Sequence, residues 1–572
     1  MSRILLLLTA LCLPVVGFAQ SAAPAESPIT TLRVTSRQVY LDVVVRDAAG
    51  QPVRGLTKDD FQIQEDGHAQ QADFFAPHFS DGKRAAAATP SNDGHRFTNI
   101  PAHGQNSGSI NILLLDLLNT PSQDQLYARR QMLKFLQTLP AGQQIALFVL
   151  SGRLHMIQSF TGSSEQLAAA AKLIDVKDLR LIRSSSEQFH DNDFIADMYA
   201  VAGRSPSAGS AAGLAAALEY EDEINLETRS IATISAFGEI ARYTSGYPGR
   251  KNLLWVSEDF PLSVTAQLQY TDLSRINQFE LGDLPGSRDA ANAIATAQVA
   301  VYPINVSGLE TDSIDSSNRG NAEVMAGGGL LSSTEARNFA NRQQKFDTMN
   351  ELARQTGGQA YLETNDFTGA MQRSVDDGSN YYSLAYRPTN PNWDGRFRKI
   401  KVRLAKGSYN LTYRRGYFAV ADQVSGESPS EELNEALQPD MLESTMLRLT
   451  SEVLAPDASR PSLQIKTTLD IGNVAFTGGQ NGDLHARVMV MLVAFHEEGK
   501  RGPVGQTSTI LNLDFTAEQF KTYQASGVEF TQQLPLPPGK YRLRLGVSDL
   551  TNRRLGTIVV PVEVAAPSRA AS

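Results

Sequence analysis

At 572 residues with 41% hydrophobic side chains, the chain exceeds what one hydrophobic core supports and is long enough for about three domains. A formal net charge of −9 and a 20% charged fraction argue against a nucleic-acid binder, which would need a basic stripe, and no polybasic run suits an anionic membrane surface. The single cysteine, Cys12, falls in the leader described next, so the remainder has no disulfide, no cysteine nucleophile and no cysteine metal ligand.

Residues 1–19 read as a cleaved signal peptide. Arg3 supplies the positive charge, Ile4 to Val16 the apolar run, and Gly17-Phe18-Ala19 a small-x-small cleavage site. That run is too short to span a membrane comfortably, so the mature chain is expected to lack a transmembrane helix and to be exported to the periplasm, the cell envelope or the medium. A linker over 20–31 precedes an N-terminal β module at 32–80, with strands near Val39–Val45 and Asp60–Ile63 and turns at Asp47–Gly50 and Glu65-Asp66-Gly67. The module is too short to close a sandwich alone. Residues 81–108, rich in Ala, Ser, Asn and Gly, read as a flexible linker.

From Ser109 the pattern becomes strands alternating with helices. The run Ile110-Asn111-Ile112-Leu113-Leu114-Leu115-Asp116 reads as a strand buried on both faces, followed by a helix over about Ser122 to Thr138. Further strands are expected at Gln144–Leu150, Lys251–Ser257 and Ala300–Val306. Helices are expected at Glu165–Ile174, Asn225–Tyr243, Ser287–Gln298 and Ala340–Thr356. This order predicts a doubly wound α/β domain over 109–375, with polar insertions near 180–213 and 308–333. Antiparallel strands follow at 380–420 and are expected to pack with 32–80, leaving the α/β domain inserted between them. A linker over 421–440 leads to a C-terminal β-sandwich at 441–566, where short strands recur between turns.

Several stretches together carry a family likeness. They are Leu41-Asp42-Val43-Val44-Val45-Arg46-Asp47, Gly50-Gln51-Pro52-Val53-Arg54-Gly55-Leu56, Asp60-Phe61, Glu65-Asp66-Gly67, Asp116-Leu117-Leu118-Asn119-Thr120 and Pro248-Gly249-Arg250-Lys251-Asn252-Leu253-Leu254-Trp255. In these the chain resembles the von Willebrand factor type A-related proteins, more narrowly a secreted family known mainly from acidobacteria. The resemblance implies a metal-ion-dependent adhesion site of the pattern Asp-x-Ser-x-Ser, with a Thr from a later loop and an Asp ending a further strand. On this chain Asp116 matches the leading Asp and Thr120 the second hydroxyl, while Leu118 stands where the first Ser belongs. Thr228 is the candidate loop Thr, Glu258 takes the last Asp position, Asp259 follows it, and Asn119 offers a further oxygen.

A hard cation such as Mg²⁺ takes oxygen ligands in octahedral array and leaves a position for a partner's carboxylate. Without a metal, Asp116 and Thr120 are expected to cap the helix that follows. No nucleophile elbow, His-Glu-x-x-His, phosphate loop or dinucleotide fingerprint occurs in the sequence. The leading expectation is therefore an exported, non-enzymatic protein-binding or adhesion-type protein with a degenerate adhesion site. The alternatives are a metal-dependent hydrolase built on Asp116, Glu258 and Asp259, or a structural envelope protein with a vestigial site.

Overall fold

A computed structural model describes residues 38–79, 95–101, 110–139, 143–174, 228–258, 287–307, 333–420, 428–454, 463–479, 482–497 and 502–564. The leader, the segments 180–213 and 308–332, and Asp259 lie outside them. The strand Ile110–Asp116 is buried at every position and sits in the middle of a five-stranded sheet. The order is Val299–Asn305, Lys251–Ser257, Ile110–Asp116, Gln144–Leu150 and Leu154–Thr161. The first four strands run parallel and the last is antiparallel.

Side chains alternate across this sheet. Ile112 and Leu114 join a core with Phe148, Trp255, Phe237 and Ile240. Leu113 and Leu115 join another with Met132, Phe135, Leu147 and Val256. Phe237 and Ile240 belong to a helix running through 228–244, and Met132 and Phe135 to the helix Ser122–Gln137.

The expectation of a doubly wound α/β fold class is corrected. The chain is mostly β: among the described residues strands outnumber helices, and four of the five sheets they form are small and antiparallel. The alternation of strand and helix holds from Ile110–Asp116 through Ser122–Gln137 to Gln144–Leu150 and breaks after that second strand. After Gln144–Leu150 the chain turns back at Gly152, whose φ of +87° favours glycine. It then pairs as the antiparallel strand Leu154–Thr161 in place of entering a helix. That strand reads poorly in sequence because His155, Gln158 and Ser159 interrupt its apolar positions.

Two four-stranded sheets draw on both ends of this region. One has the order Asn410–Thr412, Val39–Arg46, Asn380–Tyr386, Ala72–Phe79; the other runs Gly416–Phe418, Phe397–Leu404, Phe61–Glu65, His68–Gln70. They share a core of Leu41, Val43, Val45, Ile63, Leu384 and Val402. Within it lies a buried ion pair, Arg398 to Glu65 at 3.2 Å, whose carboxylate also accepts the hydroxyls of Tyr386 and Tyr417 at 2.8 and 2.9 Å.

The remaining sheets enclose a separate core that includes Leu449, Ile465, Val490, Leu545 and Val560. The first has the order Val528–Leu534, Leu463–Leu469, Leu449–Leu454, Arg96–Thr98; the second runs Thr477–Gly478, Leu484–His496, Gly539–Asp549, Leu555–Val564, with Pro503–Phe515 also on Leu484–His496. The reading of 81–108 as linker throughout is thereby corrected at Arg96–Thr98, which pairs with Leu449–Leu454. Asn99 secures it: its amide nitrogen donates to the carbonyls of Ser444 and Leu447 at 2.9 Å, and its oxygen accepts from Leu449 N at 2.6 Å. A three-residue strand held by a polar side chain leaves little hydrophobic trace in the sequence.

Candidate functional site

At the carboxyl end of the central strand the Asp116 side chain is fully buried. Its Oδ1 accepts from Asn119 N at 2.9 Å. Its Oδ2 accepts from Asn119 Nδ2 at 2.7 Å, Trp255 Nε1 at 2.9 Å and Ser257 Oγ at 3.3 Å. Thr120 Oγ1 donates back to the Asp116 carbonyl at 2.6 Å. Asn119 Nδ2 also donates to Thr233 Oγ1 at 2.7 Å, and Thr233 Oγ1 donates to the Arg229 carbonyl at 2.8 Å. One carboxylate thus ties the turn 117–120, the helix through 228–244 and the neighbouring strand Lys251–Ser257 together. Burial pushes the Asp116 pKa up to about 6, and the hydrogen bonds from Asn119, Trp255 and Ser257 restrain the rise.

The residues expected at a cation site are only partly brought together here. Asp116, Asn119 and Thr120 share the node. Thr228 is exposed at the first described turn of its helix, and the hydroxyl that reaches Asn119 belongs to Thr233. Glu258 directly follows Ser257, and its carbonyl accepts from Asn305 Nδ2 at 2.7 Å; Asp259 lies outside the described residues. Leu118, at the expected serine position, is 2% exposed and packs in the core with Leu114, Leu150 and Trp255.

This donor set does not fit a hard cation. Such an ion needs carboxylate lone pairs directed at it, whereas both Asp116 oxygens receive N–H and O–H donors. Thr120 turns its hydroxyl proton to a backbone carbonyl, and Leu118 supplies no oxygen. Among the described residues no group of three or more His, Cys, Asp or Glu is placed to hold a metal. The acceptor Asn119 Oδ1 is buried with no hydrogen-bond partner, so the node leaves one oxygen over.

A second polar cluster lies at the opposite, amino ends of the parallel strands, and sequence reasoning missed it as a site. Gly249, at φ +76°, sets up Arg250, whose backbone N–H donates to Tyr381 Oη at 3.1 Å. The fully buried Arg250 guanidinium donates through Nη2 to Tyr302 Oη at 2.9 Å and to the Gly357 carbonyl. Beside it is Asp42, from the strand Val39–Arg46, which accepts from Ser383 Oγ at 2.6 Å and Gln298 Nε2 at 3.3 Å. Lys251 is buried too; burial lowers its pKa to about 7, with Asp42 pulling the other way. Arg414 Nη1 donates to the Ala295 carbonyl at 3.2 Å. Charged residues within or just ahead of apolar strand patterns, Leu41-Asp42-Val43 and Arg250-Lys251 before Leu253-Leu254-Trp255, are the signal that could have found it.

No protein-family model and no curated protein matches the chain. Solved structures that match include an aerotolerance-related membrane protein from Bacteroides fragilis NCTC 9343 carrying multiple mutations to serines, at 12% identity over 47% of this chain and 98% of that one, with a TM-score of 0.23. The conserved hypothetical protein BatB from Bacteroides thetaiotaomicron matches at 12% identity with the same coverages and a TM-score of 0.22. The PilB minor pilin from Streptococcus sanguinis matches at 11% identity over 60% of this chain and 87% of that one, with a TM-score of 0.20. At these values the comparisons give the chain neither a family nor a function.

Proposed function

We propose that this chain is an exported, non-enzymatic binding protein of the secreted type A-related kind, which offers the carboxyl-end face of its central sheet to a protein partner. The observation that carries this reading is the Asp116 node. A carboxylate fully taken up by structural donors is poorly suited to act as a general base or to hold a metal, but it is well suited to stiffen the turn and strand ends around it. Glu258 and Ser307 follow closely on the carboxyl ends of the adjacent parallel strands Lys251–Ser257 and Val299–Asn305. In open sheets that edge is where ligands bind. On this reading the adhesion site is degenerate, its oxygens turned inward to hydrogen bonding, and recognition proceeds without a bridging cation. The apolar leader supports export, and no described helix is long and apolar enough to cross a membrane.

The test places a photo-cross-linking residue at Glu258 or Ser307 in the full chain, expressed in its source cells, with a control at Tyr523 on the helix Ala517–Ser526. Adducts to one protein from the first two positions and not from the control, unchanged by EDTA, are expected. Adducts from all three alike, or turnover on a broad hydrolase panel that Asp116→Asn abolishes, would overturn the reading.

A further inference from the structure

The cluster at the amino ends of the strands borders a cavity of about 40 Å³, lined among others by Asp42, Arg250, Gln298, Thr356, Arg414 and Tyr417. That volume holds on the order of three water-sized groups. Two of its lining side chains are arginines whose Nε–H groups are enclosed and have no hydrogen-bond acceptor: Arg250 and Arg414. An enclosed guanidinium N–H without an acceptor forfeits the strongest kind of hydrogen bond available to it.

The charges around the cavity do not balance. Arg250, Lys251 and Arg414 all feel Asp42 as their nearby carboxylate. The other acidic groups in range are already matched. Asp377 accepts from Arg46 Nε at 2.9 Å, and Glu65 pairs with Arg398 at 3.2 Å. Leaving Lys251 aside, two arginines face one aspartate, so about one positive charge at the cavity has no carboxylate of its own.

We propose that this cavity is a binding site for a small oxyanion, of the size of a carboxylate or phosphate group, held by the Nε–H groups of Arg250 and Arg414. The site lies at the opposite end of the sheet's strands from Asp116 and does not depend on the function proposed above. Its walls come from distant parts of the chain, among them Tyr40 and Asp42, Arg250, the helix Ser287–Thr296, Thr356, and Arg414 with Tyr417. An anion there joins the central sheet to the flanking β sheets.

The experiment uses the full mature chain and the probes sodium phosphate and sodium acetate, against sodium chloride at matched ionic strength. Calorimetry and thermal melting are read for wild type, Arg414→Gln and Ala295→Glu. Ala295 is half-buried on a helix beside Arg414, so Ala295→Glu tethers a carboxylate at the site without opening a void. Phosphate or acetate is expected to bind wild type and raise its melting temperature beyond chloride. Arg414→Gln is expected to weaken that binding about tenfold or more. Ala295→Glu is expected to melt no lower than wild type in chloride and to lose the response to both probes. Equal effects of chloride and the two oxyanions on wild type, or an unchanged oxyanion response in both variants, would overturn the proposal.

Discussion

Replacing Asp116 by Asn tests whether the buried carboxylate at the end of the central strand carries a pH-dependent cost. The group's ordinary pKa is 3.8 and burial raises it to about 6 in the folded chain. The folded state therefore holds its proton more tightly than the unfolded state. Stability from this group is fully present below about pH 4, falls as pH rises, and is lost above about pH 6. The gap of about 2 pH units, at roughly 1.36 kcal/mol each, amounts to about 3 kcal/mol. Asn is nearly isosteric, keeps one acceptor oxygen and does not titrate, so the variant lacks this term. Denaturant unfolding of both proteins from pH 3.5 to 8 measures it. Emission from Trp255, which donates directly to Asp116, is the local probe, in a Trp393→Phe background because the chain has two tryptophans. The stability of wild type relative to Asp116→Asn is expected to fall by about 3 kcal/mol across that range, most steeply between pH 4 and 6. A difference that stays flat with pH, or grows in favour of wild type as pH rises, would refute the reasoning.

Leu118→Ser is expected to destabilise the chain by about 2–5 kcal/mol, because it removes a core side chain. A gain in Mg²⁺-dependent melting temperature over EDTA would contradict the account of the Asp116 node. Gly249→Ala is expected to lower the melting temperature by several degrees, since its φ is +76° and a Cβ there would meet Tyr381 Oη at 3.0 Å; an unchanged melting temperature would show that the turn relaxes. Arg398→Met leaves Glu65 buried without its cation and is expected to cost about 3–5 kcal/mol, while Arg398→Met with Glu65→Leu is expected to recover much of it. Chemical denaturation of the two variants checks this, and equal losses would mean the ion pair is not the cause.

Local chemistry in the sequence determined the strand Ile110–Asp116, the aspartate at its polar end and the helix that follows. A continuous apolar run that ends in Asp, Asn and Thr allows few other structures. It also determined that charges sit within the apolar strand at Asp42 and at the start of another at Arg250 and Lys251. It did not determine what those charges meet. Asp42, Arg250 and Arg414 are far apart along the chain, and only the packing of the central sheet against the flanking sheets brings them to one cavity. The inward turn of Leu118 and the choice of Thr233 over Thr228 likewise depend on how the helix through 228–244 lies on the sheet, which no spacing along one segment encodes. The fold class was misread for the same reason. Strand pairing is non-local, so short segments such as Arg96–Thr98 and Leu154–Thr161 become strands only because a partner edge is present. For Arg96–Thr98 the edge comes from the distant strand Leu449–Leu454 and for Leu154–Thr161 from the strand just before it, and such pairings make the protein mostly antiparallel β.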